Sequence, residues 1–385
     1  MTAYEPEISA ELKNITLTTK EGWAETVKGP TREKPALLTR REVSALSPPD
    51  KRRYDKQRFD WHANLGVVET PQLLALRKQL SVLMISNSSD ANRVKGGMAI
   101  EGPAGIGKTT AVDNFAKRFH LDEIAERGPR TGDGHERWPV VRIALNGTPT
   151  PRAIYVAMLY FLAHAGIRSG NADQFKMRAL DVFLDCNVRL LIIDEVHFSA
   201  FNTTDGAKLS NTFKSIANDF PVTTLFVGIG LSEAGFFSEG RGDSSKQHNI
   251  RQQTARRVTA HAMEPFAAET PQERRQWRSL VRAIEKQLVL ADHGQRSLAS
   301  GEVSDYLYVR TQGYFQSLAT LIERACALAV LDGHEALNID LLDQVTIDVA
   351  AESSREHTHA RLRSVRRKQT PATKADPVES DSTAE

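Results

Sequence analysis

One eight-residue run constrains the fold of this 385-residue chain more than any other feature of its sequence. The run Gly102-Pro103-Ala104-Gly105-Ile106-Gly107-Lys108-Thr109 has the pattern G-x-x-x-x-G-K-T, between an apolar strand predicted at 97–101 and a helix predicted at 108–119. Its glycines let the backbone wrap around phosphates, so that N–H groups and the helix start face negative charge. The pattern predicts a nucleoside triphosphate site. The spacing does not fit G-x-G-x-x-G, which disfavours a dinucleotide site.

The loop pattern gives its polar residues distinct roles. We expect Lys108 to reach the terminal phosphates of ATP and the Thr109 hydroxyl to ligate Mg²⁺. The residues expected to contact the nucleotide are Gly102, Pro103, Ala104, Gly105, Ile106, Gly107, Lys108, Thr109 and Thr110.

A second motif, Leu190-Leu191-Ile192-Ile193-Asp194-Glu195, carries two carboxylates to the carboxyl end of an apolar strand. Open α/β sheets bind their ligands at such ends. We expect Asp194 to hold Mg²⁺ through its water shell and Glu195 to orient and polarise the attacking water. For His197, a capping or packing role is favoured over catalysis.

An arginine pair, Arg256-Arg257, precedes the last apolar run of the predicted sheet. We expect Arg256 to act as an arginine finger that reaches the nucleotide of a neighbouring subunit. An exposed or salt-bridged pair is the alternative, and Arg251 is a less favoured finger.

Short apolar runs alternate with helical patterns in the middle of the chain, which predicts an α/β fold with a five-stranded parallel sheet between helices. The predicted strands are 97–101, 140–145, 189–194, 222–227 and 257–263. Helical patterns alone follow, at 271–290, 304–311, 316–331 and 340–350.

Shifts in composition divide the chain into four predicted parts. Residues 1–58 are an extension with little core of its own, for which a flexible arm and a partner-binding arm both remain open. Residues 59–263 form the nucleotide-binding core, and residues 264–352 a helical lid. Residues 353–385 form a basic, then acidic, tail that binds phosphates, docks an acidic partner or is disordered.

The charge balance limits the kinds of partner. Fifty Lys and Arg against 48 Asp and Glu give a formal net charge of +2, so affinity for DNA must come from local clusters. Cys186 and Cys326 lie in helical patterns and are expected to be small buried hydrophobes in a reducing compartment. The sequence shows neither a signal peptide nor a membrane span, which predicts a cytoplasmic protein without a membrane partner.

From about Tyr54 to Ala350 the chain resembles AAA+ ATPases of the TniB/TnsC group of transposition regulators. Besides both nucleotide motifs, the likeness rests on residues 58–62 (RFDWH), 69–71 (ETP), 253–257 (QTARR) and 311–314 (TQGY). The resemblance implies an ATPase that forms a ring or helical filament on duplex DNA. It also implies contact with a DDE-type transposase, a target-selecting protein or RNA-guided complex as a further partner, and disassembly on ATP hydrolysis.

The resemblance also implies DNA contacts in the segment after the second strand and in a later loop, at Thr148, Arg152 and Arg168. Contacts to the DNA backbone without base readout make such binding largely independent of sequence. Other candidate phosphate contacts are Arg127, Arg130, Arg137 and the basic stretch 355–368.

Two departures from the AAA+ pattern favour slow hydrolysis, which suits a switch. Residues 313–317 (GYFQS) contain no arginine at the start of the third lid helix, and 227–230 (VGIG) contain no polar sensor, Ser232 being the nearest hydroxyl. Two other functions remain open: a helicase-loader or initiator-type ATPase, and a signalling or defence switch that binds a protein partner without DNA.

Overall fold

The protein is described by a computed structural model for residues 15–29, 33–88, 94–145, 147, 149–197, 204–231, 257–292 and 297–355. The described residues fall into two compact units. The first, here the sheet unit, lies within Met1–Glu33 and Glu69–Glu264. The second, here the helical unit, lies within Lys34–Val68 and Pro265–Glu385.

The described helices are α1 (Lys20–Lys28), α2 (Arg40–Ala45), α3 (Pro48–His62), α4 (Pro71–Ser88), α5 (Lys108–Arg127), α6 (Pro151–Phe161), α7 (Ala172–Asp185), α8 (Thr204–Asp219), α9 (Pro271–Glu285), α10 (Gly301–Thr311), α11 (Phe315–Leu331), α12 (Ile339–Asp343) and α13 (Val349–Ser353). The described strands are β1 (Gly97–Glu101), β2 (Val140–Ala144), β3 (Leu190–His197), β4 (Thr223–Ile229) and β5 (Val258–Ala262).

The strands form one parallel sheet in the order β2-β3-β4-β1-β5, as the alternating pattern predicts. The run Leu190–Ile193 of β3 is buried, as expected for a strand covered on both faces. Because β1 and β3 both run parallel to β4, which lies between them, the turn after β1 and the acidic residues of β3 lie at the same edge of the sheet. The predicted fold class is confirmed.

Helix α5 is longer than its pattern predicts. It continues past Phe119 to Arg127 and ends at Gly128, whose positive φ of 77° is one that glycine adopts without strain. His120 and Glu123 in the added turns are buried. Because the buried face of these added turns carries polar residues, the apolar pattern did not extend over them.

The N-terminal helix α1 packs on the sheet unit through a fully buried tryptophan. Trp23 Nε1 donates to Nδ1 of His120 on α5 at 3.2 Å, and the His120 ring meets the ring of Trp138 edge to face. Lys20 pairs with Glu136 and lies 5.0 Å above the Trp138 ring. This part of the predicted extension therefore contributes to a core.

Residues of α3 join the helical unit. Arg58 is fully buried and forms a bidentate ion pair with Glu335, at 2.6 and 3.0 Å. Trp61 Nε1 donates to the Gln287 carbonyl, and His62 Nε2 accepts from the Val289 amide. The division predicted between residues 58 and 59 falls inside α3, because these long-range contacts are not visible as a local change in composition.

The helix predicted at 340–350 is two short helices, α12 and α13. The buried guanidinium of Arg310 donates to the carbonyls of Leu342 and Val345, at 2.9 and 2.6 Å. The Asp348 side chain accepts from the Ala351 amide and caps α13. A helix through this region would need those carbonyls for its own ladder, so the contacts with Arg310 interrupt it.

Among the described residues, no helix taken singly has both the length and the apolar composition to cross a bilayer, whereas the bent pair α10–α11 meets that test jointly.

Protonation of His120 should weaken the sheet unit in mild acid. Burial lowers the pKa of His120 to about 4 from its ordinary value of 6.5. The unfolded chain takes up this proton near pH 6.5 and the folded one only near pH 4, so stability is lost as the pH falls through that window. By linkage the loss is at most about 3 kcal/mol.

The measurement is the urea midpoint of the wild type and of His120→Asn between pH 7 and pH 4. We expect the wild type to lose more stability than the variant, because asparagine can accept from Trp23 without titrating. Parallel curves for the two proteins would show that His120 does not cause the acid sensitivity.

Candidate functional site

The glycine-rich run forms the turn between β1 and α5. Gly102 has a φ of 148°, and a Cβ there would lie 2.2 Å from the Met263 carbonyl oxygen, so only glycine fits this close approach. Gly107, the N-cap of α5, has a φ of 90° and open space where its Cβ would stand. The turn therefore leaves room beside the N–H groups at the start of a 20-residue helix.

Lys108 is the first residue of α5, and its side chain turns back over the loop. Its Nζ donates to the carbonyl oxygens of Gly102 and Pro103, each at 2.7 Å. Burial lowers the pKa of Lys108, while the charges of Asp194 and Glu195 act in the opposite direction. These two carbonyl oxygens hold the ammonium group beside the loop. Oxygens of a bound phosphate can take their place as acceptors.

The sheet order brings the second motif to the same place. Thr109 Oγ1 lies 3.4 Å from Asp194 Oδ1, although the two residues are 85 positions apart. Asp194 is 3% exposed. The hydroxyl and the carboxylate predicted to bind Mg²⁺ thus face each other.

A β-bulge sets the direction of the two acids. The register of β3 with β4 shifts between Ile193 and Val196, so Asp194 and Glu195 together occupy one place in the ladder. Glu195 has a φ of 57°, is exposed, and donates its amide to Asp194 Oδ1 at 2.9 Å. The bulge keeps Asp194 buried beside Thr109 and exposes Glu195.

An arginine that the sequence analysis did not select binds the same carboxylate. Arg142, in β2, donates from Nη2 to Asp194 Oδ2 at 2.6 Å and from Nε to Asp113 Oδ1 at 2.9 Å. Burial raises the pKa of Asp113, while Arg142 opposes that rise. Two features of the sequence could have pointed to this contact. Arg142 interrupts an otherwise apolar strand, and Asp113 lies on the buried face of α5.

Gly228, near the end of β4, has no room for a side chain. Gly228 pairs with Val196, and a Cβ at 228 would lie 2.0 Å from the Val196 carbonyl oxygen. Of the stretch 227–230, position 228 therefore accepts only glycine beside the bulge in β3. Ser232 lies outside the described residues, and the same holds for Arg251, Arg256 and the side chain of His197.

Two of the predicted DNA-contacting residues lie near each other. Arg152, in the first turn of α6, donates to the Gly170 carbonyl at 3.2 Å and lies 5.0 Å above the Phe175 ring. Arg178 also contacts that ring and donates to the carbonyls of Gly166 and Ser169. Both arginines hold the loop 165–170, where Arg168 is exposed. Thr148 lies outside the described residues.

The other basic candidates have mostly structural contacts. Arg137 is buried and donates to the Gly128 and Arg130 carbonyls, and Arg130 donates to the Gly134 carbonyl. Arg127 pairs with Glu123. Of the stretch 355–368 the structure describes only Arg355, which pairs with Asp343.

The donor set fits ATP and Mg²⁺. The open cradle at Gly107, the uncapped helix start and the Lys108 ammonium suit a polyphosphate. A hydroxyl and a carboxylate, at Thr109 and Asp194, are hard oxygen ligands of the kind Mg²⁺ takes together with water and phosphate.

Residues 58–236 match the model of the family described as Bacterial TniB protein. The resemblance to TniB is therefore confirmed over this segment, which contains both nucleotide motifs. No curated protein matches the chain significantly.

Solved structures show the same fold. The Aeropyrum pernix ORC2 protein in ADPNP–ADP complexes is 14% identical, with a TM-score of 0.53 over 78% of this chain and 72% of that one. The ADP form of that protein is 16% identical, with a TM-score of 0.50 over 73% and 68%. Together with the family match and the sheet order, this likeness shows an AAA+ ATPase fold.

Proposed function

Because residues 58–236 are a TniB-type AAA+ segment, we propose that the chain is an ATP-dependent, DNA-binding regulator of DNA transposition. The protein oligomerises on target duplex DNA, recruits or activates a DDE-type transposase, and disassembles when ATP is hydrolysed. The observation that carries the proposal is the meeting of Lys108, Thr109 and Asp194 at one sheet edge inside the matched segment. A cytoplasmic location and a target-selecting partner, protein or RNA-guided, are part of the proposal.

The loop residues 102–110 hold the triphosphate. Backbone N–H groups at the start of α5 donate to phosphate oxygens, and Lys108 exchanges its two carbonyl partners for the terminal phosphates. Thr109 and Asp194 hold Mg²⁺, which when bound neutralises charge on the phosphates.

Glu195 orients the attacking water. Its backbone amide is bonded to Asp194 and its side chain is exposed, which supports a role beside the bound phosphates. Arg256 supplies the positive charge to the nucleotide of a neighbouring subunit, and this role follows from the sequence alone because Arg256 lies outside the described residues.

Arg152, Arg168 and Thr148 contact the DNA backbone. The exposure of Arg168 and the linkage of Arg152 to the same loop support a joint surface. With a net charge of +2, one subunit binds weakly, and oligomerisation multiplies its contacts along the duplex. Each neutralised phosphate contributes about −0.9 to the slope of log affinity against log salt concentration.

Purified protein mixed with random-sequence duplex tests the proposal. We expect Mg²⁺-ATP to give long assemblies by electron microscopy and salt-dependent binding by fluorescence anisotropy. ADP in place of ATP is the matched control and should give neither. The proposal fails if nucleotide has no effect on DNA binding even at low salt.

The same experiment addresses a protein-binding switch, which the absence of arginine from 313–317 and the low net charge favour. Nucleotide-dependent binding to DNA alone excludes it. A helicase loader or initiator-type ATPase has the same catalytic parts, and a transposase or a replicative helicase encoded next to this chain separates the two.

A further inference from the structure

We infer that Arg142 is a positioning residue for the magnesium site, acting through Asp194. This inference rests on the proposed function, because it takes Asp194 as the carboxylate that holds Mg²⁺. It assigns to β2 a role in nucleotide binding that neither sequence motif contains.

The geometry places one guanidinium between the two halves of the site. Arg142 is 6% exposed and bridges Asp194, at the bulge of β3, to Asp113 on α5, the helix that begins at the phosphate loop. In the sheet Ala144 pairs with Asp194 and Arg142 with Ile192, so the arginine and the carboxylate lie on one face as diagonal neighbours. The register therefore builds the contact into the sheet.

The distribution of hydrogen bonds fixes how the carboxylate is turned. Asp194 Oδ2 accepts from Arg142, whereas Oδ1 accepts from the Glu195 amide and faces the Thr109 hydroxyl. With Oδ2 held, rotation of the carboxylate is restricted and Oδ1 stays directed at Thr109. This is how outer partners orient metal-binding groups in other sites, where their loss typically costs ten- to a hundredfold in metal affinity.

Arg142 also sets the charge of the site. With Asp113 and Asp194 it forms a trio of net charge −1, instead of two adjacent carboxylates of charge −2. A variant that removes only the arginine changes charge and orientation together. The variant Asp113→Asn with Arg142→Gln keeps the charge at −1 and removes the guanidinium that bridges the two side chains.

The test is a titration of fluorescent ATP in EDTA and at increasing Mg²⁺. We expect the double variant to bind ATP in EDTA as the wild type does, because Lys108 and the loop are unchanged. The Mg²⁺ concentration that gives half of the metal-dependent gain in affinity should rise about tenfold. Asp113→Asn alone, which keeps the bond between Arg142 and Asp194 but brings the trio to a net charge of 0, should raise this concentration less than the double variant does.

If the contacts of Arg142 only stabilise the fold, the double variant should have a lower urea midpoint and an unchanged Mg²⁺ midpoint. That result overturns the inference. If the double variant does not fold, Arg142→Lys carries the same test, since lysine lacks the two separate nitrogens, Nε and Nη2, that hold Asp113 and Asp194 in fixed positions. A wild type that binds no ATP would instead contradict the proposed function itself.

Discussion

Lys108→Ala should reduce ATP affinity by about a hundredfold or more, through the loss of charge-assisted hydrogen bonds to the phosphates. The two carbonyls that now accept from Lys108 remain in the loop. Without the ammonium group, their partly negative oxygens repel an anionic ligand. Since assembly on DNA is proposed to require ATP, the variant should also form no assemblies. Calorimetric titration with ATP and electron microscopy with duplex DNA measure the two effects.

Lys78→Ala is the matched control, because Lys78 is an exposed lysine on α4 in the same unit. It should bind ATP and assemble as the wild type does. If Lys108→Ala bound ATP with wild-type affinity, the turn after β1 would not be the nucleotide site, and the roles given to Thr109 and Asp194 would have no basis.

Glu195→Gln should slow ATP hydrolysis by about 10²- to 10⁴-fold, the usual contribution of a positioned general base. Glutamine has the shape of glutamate without the charge that polarises water. ATP affinity should be retained, since Lys108, Thr109 and Asp194 are untouched. Assemblies on DNA should therefore outlast those of the wild type after ATP is removed.

Single-turnover hydrolysis and the decay of DNA binding are the measurements, with Glu126→Gln, an exposed glutamate at the end of α5, as the control. If Glu195→Gln hydrolysed ATP at the wild-type rate, a group other than Glu195 would have to polarise the attacking water. Slow hydrolysis combined with assemblies that dissociate as fast as the wild type's would break the proposed link between hydrolysis and disassembly.

The secondary structure followed the sequence closely where local patterns were strong. β1 occupies the predicted residues 97–101, and the helix that follows it starts at Lys108 as predicted. The pattern was insufficient where distant side chains compete for the backbone. Arg310, by binding the carbonyls of Leu342 and Val345, ends α12 early, and no local signal at 340–350 reports that arginine.

The extension shows the same limit. Residues 1–58 mix charges of both signs with prolines, so their composition predicts an extension with little core of its own. Trp23 and Arg58 are nevertheless fully buried, because each finds one polar partner elsewhere, His120 or Glu335. Single long-range pairs of this kind leave no periodic pattern.

The sequence by itself determined the fold class and the parts of the candidate nucleotide site, because the loop's conformation and the strand's acidic residues are encoded locally, in glycine spacing and an apolar run. Only the tertiary structure decided how Asp194 and Glu195 are placed. The bulge that buries Asp194 and exposes Glu195 comes from the register of β3 with β4. The hydrogen bond from Arg142 to Asp194 comes from the pairing of β2 with β3. Strand pairing joins residues about thirty to fifty positions apart, so a local pattern cannot predict these contacts.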